Sequence, residues 1–262
     1  MMSVDSINSV GSPYSPYNPT NTSLTTGQQI NRSADNAAGL AVVTGMTTEI
    51  IGQSVGMRNA NDGMSLLQTA DGATRGMTNS IQRMYELTIQ SMNGTLSASQ
   101  RNMLNTEFQQ QMEEINRTAA TTKFNDISLL DGSNPDIQIA LGDDSKSNLT
   151  MPTLTSDALG LTGMDISNPA NAGAAAEALL NATDLLSASQ ANFGAQQNGL
   201  YSAVSSMAIS QENSYASRSQ ILDTDMARAS TNKARNDVLM QASIMMQAQG
   251  NQDKSNVLQL LG

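Results

Sequence analysis

Apolar residues recur at three- and four-residue spacing through most of the chain. Val43, Ile50, Met57 and Met64 stand seven apart, Leu40 and Leu67 lie three residues outside them, and Met77, Ile81, Met84 and Thr88 carry the stripe on. Alternating steps of three and four form the seam of a coiled coil or a long bundle helix. Ser33 and Asp35 offer N-caps upstream, and Asn93-Gly94 offers a stop. No Pro interrupts the 56 residues from Ala37 to Met92, about 84 Å as one straight helix. Gly45, Gly52, Gly56, Gly63, Gly72 and Gly76 each weaken that helix by roughly 1 kcal/mol against Ala. It therefore needs packing partners, which the small residues allow to come close.

A second helix is predicted over about Ala98 to Ala120, with Leu104, Phe108, Met112, Ile115 and Ala119 as its apolar stripe and Ser97 or Ser99 as cap. The short loop after Gly94 folds it back antiparallel on the first. Residues 121–132 read as a loop. Ile137 to Leu141 and Ser147 to Met151 flank Gly142-Asp-Asp-Ser-Lys146 as a β-hairpin. Residues 152–173 carry turn signals and read as a linker. A last helical region starts near Ala174 and runs, with a break, to about Gln249. Leu179, Ala182, Leu186, Ser189, Phe193, Leu200, Val204, Met207 and Gln211 keep its stripe, and Val238, Ala242, Met245 and Ala248 resume it. The chain closes on an apolar Val257-Leu258-Gln-Leu260-Leu261, a sticky patch unless it docks on another helix or another copy. The fold class is mainly α, a long antiparallel helical bundle or coiled coil with a small β-hairpin.

Composition narrows the chemistry. With no Cys and no His among 262 residues, zinc fingers, iron–sulfur ligation and every His- or Cys-dependent catalytic triad are excluded. Glu113-Glu114 falls on a helix face and Asp143-Asp144 in a turn, so neither makes an acid–base pair, and turn chemistry rather than calcium accounts for the second. The reading is of a non-enzyme without cofactor or metal. A net charge of −10 argues against nucleic acid as partner, and no apolar run is long enough to insert in a membrane. Met1 to Ser23 lacks the charged and apolar regions of a secretory signal. It carries Pro13, Pro16 and Pro19, which favour extended structure. Charged residues make up only 14% of the chain, against a usual ~25%. A polar surface so poor in charge loses little on packing against its own copy.

Several ordered motifs resemble bacterial flagellin. Leu24 to Ala41, including Gly27, Asn31, Ala34-Asp35 and Gly39, is similar to the family's N-terminal signature. Arg58-Asn59-Ala60-Asn61-Asp62-Gly63 with Gln68-Thr69-Ala70-Asp71-Gly72-Ala73 is its most recognisable run. Gln82-Arg83, Glu86-Leu87 and Phe124-Asn125 continue it. Gln197-Asn198, Ser217-Arg218-Ser219, Ile221 to Ala227 and the closing Val257 to Leu261 resemble the C-terminal half.

The resemblance implies a minimal flagellin: a secreted structural protein that self-assembles into the helical filament of the motile flagellum. It implies export by the flagellar type III apparatus, with chaperone, cap and junction proteins as partners, and an extracellular location, or a periplasmic filament. The domains expected are an extended N-terminal segment over 1–36 (an atypical inner domain D0), D1 helices and hairpin over 37–151, a short variable linker over 152–173, a D1 helix over 174–222 and a D0 helix over 223–262. The alternative is a minor or junction-type flagellin-like secreted protein outside the main filament. Expected subunit-packing residues are Val43, Ile50, Met57, Met64, Leu67, Leu200, Val204, Val238, Met245, Val257, Leu258, Leu260 and Leu261. Arg58, Asn59, Asn61, Asp62, Gly63, Asn198 and Arg218 are the signature positions. Arg83, Leu87 and Glu107 match the family's contacts to an innate Toll-like receptor, with Arg83 and Glu107 on adjacent antiparallel helices.

Overall fold

The computed structural model describes residues 19–142 and 145–261, with side chains as far as residue 253. The expected extended stretch before Pro19, the Asp143-Asp144 pair and the side chains of Val257, Leu258, Leu260 and Leu261 lie outside the described residues. The chain divides into two compact units. A central unit holds Glu49–Glu212, and a terminal unit holds Met1–Thr48 with Asn213–Gly262.

The helices are α1 (Pro19–Thr26), α2 (Ala37–Ser91), α3 (Ala98–Thr121), α4 (Pro169–Leu222) and α5 (Met226–Leu261). Helix α2 matches the predicted span almost residue for residue, and its seven glycines are carried without a break. Ser97 starts α3 with a full capping box: its hydroxyl accepts from the Gln100 N–H while the Gln100 side chain reaches back.

In the central unit, α2, α3 and α4 seal their predicted stripes against each other. Met77, Ile81, Met84, Phe108, Ile115, Leu179, Leu186 and Phe193 are fully buried in one core. Strands β3 (Asp136–Ala140) and β4 (Lys146–Thr150) pair antiparallel with Ile137 opposite Leu149, one residue earlier than the sequence pattern places them. Their apolar face turns into the same core through Ile137, Ile139 and Leu149. Where the sequence reads as loop, β1 (Lys123–Phe124) and β2 (Ile127–Ser128) form a minimal hairpin. Its turn residues Asn125 and Asp126 both have positive φ, the backbone of a type I′ turn.

The predicted linker is a packed part of the core. Leu154, Leu159, Leu161 and Ile166 are buried. Polar side chains of α3 hold its backbone: Asn116 accepts from the Ser156 N–H at 2.9 Å, Asn105 from the Ile166 N–H at 3.0 Å, and Gln109 donates to the Met164 carbonyl at 2.7 Å. The Ser91 hydroxyl, buried at the end of α2, donates to the Ile166 carbonyl.

In the terminal unit the extended reading of 1–36 is corrected over α1. Pro19 opens this helix instead of preventing it, because Pro has no N–H to lose at a first helical position. An isolated bridge joins Gln28 to Asp223. It is extended by Gln29 N–H to the Leu222 carbonyl at 2.7 Å and Thr224 N–H to the Gly27 carbonyl at 2.8 Å. Ile30, Val43 and Leu222 form a small core here, with Leu40 and Ile221 against it. The break between α4 and α5 falls at residues 223–225. Asp225 restarts the helix by accepting from the Ala227 and Arg228 N–H groups at 3.0 and 3.1 Å.

Candidate subunit-packing surfaces

The predicted packing residues separate into two groups. Ile50, Leu67 and Leu200 are buried inside the central unit, with Met64 and Val204 packed against its core. Met57 is half-buried, and Val43 is buried in the terminal unit. Leu67 and Leu200, at 0% exposure, are sealed by their own chain and present no surface to a neighbour. Val238 and Met245 behave otherwise, at 63% and 67% exposed on α5.

The open surface of α5 extends beyond those two. Leu239, Met240, Ile244 and Met246 are also exposed. At about 100° per residue, Val238, Leu239, Ala242, Met245 and Met246 fall on one side of the helix, and Met240 and Ile244 on the other. The run from Val238 to Ala248 contains no charged residue. A helix that is apolar on opposite sides belongs in a buried setting, so α5 is left unfinished by its own chain. The exposed Met240, Ile244 and Met246 were absent from the sequence-based set, although the spacing of Met240 and Ile244 against Val238 would have shown the second face.

The signature run serves the hairpin. The Asn59 amide donates to the Ala140 carbonyl at 2.9 Å. Gly63 is buried where a Cβ would come within 3.2 Å of Ile139 and Leu200, and one on Gly56 would come 2.2 Å from the Leu141 carbonyl oxygen. Asn61 donates to the Met57 carbonyl. Arg58, Asp62 and Asn198 are exposed, and the Arg218 guanidinium lies 5.3 Å from the centre of the Tyr215 ring.

The ion pairs lie on the surface. Arg83 bridges two helices through Glu107 at 2.7 Å while holding Glu86 one turn along at 3.0 Å, which confirms the antiparallel neighbours expected for α2 and α3. The hydrogen bond to Glu107, then that to Glu86, raises the guanidinium pKa above its ordinary value. Leu87 is fully buried in the central core and is not part of the exposed face. Among the described residues no three metal-ligating side chains gather, and no helix is long and apolar enough to cross a membrane. A cavity beside β4 is lined by Asn148, Thr150, Pro152, Asn192, Ala195 and Gln196.

A chain whose middle folds into a closed three-helix unit, and whose last helix keeps open apolar faces, defines a helical structural subunit. Residues 1–135 match the bacterial flagellin N-terminal helical region, and residues 176–261 match the bacterial flagellin C-terminal helical region. The chain is 39% identical over 242 residues to a flagellin of Halalkalibacterium halodurans, covering 91% of this chain and 89% of that one. It is 34% identical over 256 residues to the flagellar filament core protein flaB2 of Brachyspira hyodysenteriae, covering 91% and 90%. The crystal structure of Bacillus cereus flagellin superposes with a TM-score of 0.52 at 32% identity, over 57% of this chain and 88% of that one. The chain belongs to the bacterial flagellin family. The N-terminal match takes in the Pro-containing residues 1–23, outside the stretch where the motifs place the resemblance.

Proposed function

We propose that this protein is a structural subunit that polymerises into the bacterial flagellar filament. The observation that carries the reading is α5, apolar on opposite sides and exposed in the single chain. One neighbour covers one side of a helix, so α5 calls for several copies around it, as a helical polymer supplies. Family membership and the names of the relatives agree with a filament role and lend nothing to a junction-type alternative.

Within that reading the 37–151 and 174–222 segments form D1 and the 223–262 helix forms D0. The subunit leaves the cell through the flagellar type III apparatus with its chaperone, adds at the tip beneath a cap, joins the hook through junction proteins, and works outside the cell. Arg83 and Glu107 supply the surface for a Toll-like receptor, and Leu87, sealed in the core, adds no contact of its own.

Electron microscopy of the purified chain tests the main reading. Long helical filaments are expected once assembly is seeded. A chain that stays monomeric under assembly conditions overturns it.

A further inference from the structure

We infer that the methionines of α5 make subunit assembly sensitive to oxidation, with Met240, Met245 and Met246 as the sites of modification. The inference rests on the filament reading and adds a chemical control to it.

The chain has 17 Met and no Cys, so methionine is its whole reserve of oxidisable sulfur. The structure splits those methionines by environment. Met77 and Met84 in the central core are shut off from solvent. Met245 and Met246 stand at 67% and 75% exposed on α5, and Met240 is exposed on the opposite side. A peroxide therefore reaches these α5 thioethers well before the core ones, together with the exposed Met92, Met103 and Met226, which lie outside the Val238–Ala248 run. Its terminal oxygen passes to the methionine sulfur. The O–O bond breaks, the S–O bond forms, the sulfur is oxidised by two electrons and the peroxide is reduced to water.

The product is a polar, chiral sulfoxide in place of a flexible apolar side chain. On a solvated helix that exchange is tolerated. Between packed helices the sulfoxide oxygen needs a donor, and the run from Val238 to Ala248 offers only Gln241, Ser243 and Gln247 among its polar side chains. An unsatisfied polar group in such a setting opposes burial. Two of the three sulfurs lie on one side of α5 and the third on the other, so oxidation marks both faces that copies must cover. The central unit keeps its fold, because its core methionines Met77 and Met84 are sealed by its own chain, while the exposed Met92 and Met103 lie outside that core. The oxidised subunit is folded in the middle and disabled for assembly.

The test treats the purified full chain with hydrogen peroxide before seeding. Peptide mass mapping should find sulfoxide at Met240, Met245 and Met246 while Met77 and Met84 remain thioethers. Seeded elongation, read by sedimentation, should fall roughly tenfold, the effect of losing about 1.4 kcal/mol at each addition. The helical signal of the central unit should hold, and methionine sulfoxide reductases should restore elongation. Filaments treated after assembly should take up sulfoxide more slowly at the same three positions. A chain carrying M240L, M245L and M246L together, judged only against its own untreated sample, should show no peroxide effect. Undiminished elongation of wild-type chain bearing the three sulfoxides overturns the inference, as does an equal peroxide loss in the triple variant. If untreated chain never elongates, the filament reading fails and takes this inference with it.

Discussion

The central and terminal units share a composition and a periodicity but finish their packing differently. In the central unit the three-four stripes of α2, α3 and α4 meet each other, the hairpin closes one side, and residues 152–168 close another. Phe108 and Phe193 end at 0% exposure. In the terminal unit the same kind of stripe seals a small cluster of Ile30, Val43 and Leu222, and α5 buries Ala229 near its start while carrying Val238, Leu239, Met240, Ile244, Met245 and Met246 in solvent. Heptad spacing announces that a helix will be covered; it does not say by which chain. The central unit has the sequence-local partners to cover itself, and α5 has little beyond the eight-residue α1.

The largest expected effect falls where the two units differ most. Removing residues 257–262 takes away the apolar end of α5 and should abolish filament formation in electron micrographs. The denaturation midpoint of the central unit should not move, since its buried core, as far as the described residues form it, runs from Ala60 to Leu200. Assembly that continues at wild-type level would break the comparison, because the terminal unit would then not depend on its open helix.

Single side chains sharpen the same contrast. Phe193→Ala empties a fully buried ring site and should cost about 3–5 kcal/mol in urea denaturation of the unpolymerised chain. Val238→Ala removes an apolar side chain that is 63% exposed and should stay within about 0.5 kcal/mol in the same measurement. In a seeded assembly assay Val238→Ala should nevertheless slow elongation. A Val238 variant that destabilises the free chain as much as the Phe193 variant would mean that α5 is already packed before assembly.

Most of the helical architecture was legible in the sequence, and the exceptions have physical causes. The stripes of α2, α3 and α4 mark their buried faces because period alone selects a face. Residues 152–168 have no period, so Leu154, Leu161 and Ile166 read as linker. The groups that hold them, Asn105, Gln109 and Asn116, look like ordinary solvent-facing residues of α3. Leu67 and Leu200 read as contacts between copies because a seam looks the same whichever chain fills it. Helix α1 was hidden by proline counting, since Pro19 breaks a helix only from within one.

Glycine offers a finer test inside the central unit. Gly56→Ala places a methyl 2.2 Å from the Leu141 carbonyl oxygen, a backbone atom that cannot swing aside. The hairpin must lift from α2, at a cost of about 1–3 kcal/mol. Gly76, on the same helix, has nothing within 4 Å of the added carbon. Gly76→Ala should therefore stabilise by up to about 1 kcal/mol through helix propensity. Thermal unfolding of the two variants should move in opposite directions. A shared sign would show that the hairpin is not held by the Gly56 contact.

The smallest effect expected is a pH dependence at Asp131, in the turn that joins β2 to the hairpin. Its carboxylate accepts from the Ser133 N–H at 2.9 Å. That bond, against an opposing effect of burial and with help from the hydroxyls of Ser133 and Ser128, lowers its pKa below the ordinary carboxylate value. A depressed folded-state pKa means the folded chain holds the charged form more strongly than the unfolded chain does. The stabilisation is therefore complete above the unfolded value of ~3.9 and is lost as pH falls through the folded value. Asp131→Asn keeps an acceptor oxygen for the turn but has no proton to take up. The stability advantage of wild type over this variant should thus be present at neutral pH and shrink on acidification, measured by urea midpoints at the two extremes. The turn lies beside the buried Leu129 and Leu130, whose backbone holds the 152–168 segment through the Leu154 N–H at 2.9 Å. Its loosening should appear first as faster hydrogen exchange at Leu154. An advantage that grows in acid would mean that the carboxylate is more strongly held in the unfolded chain than in this turn.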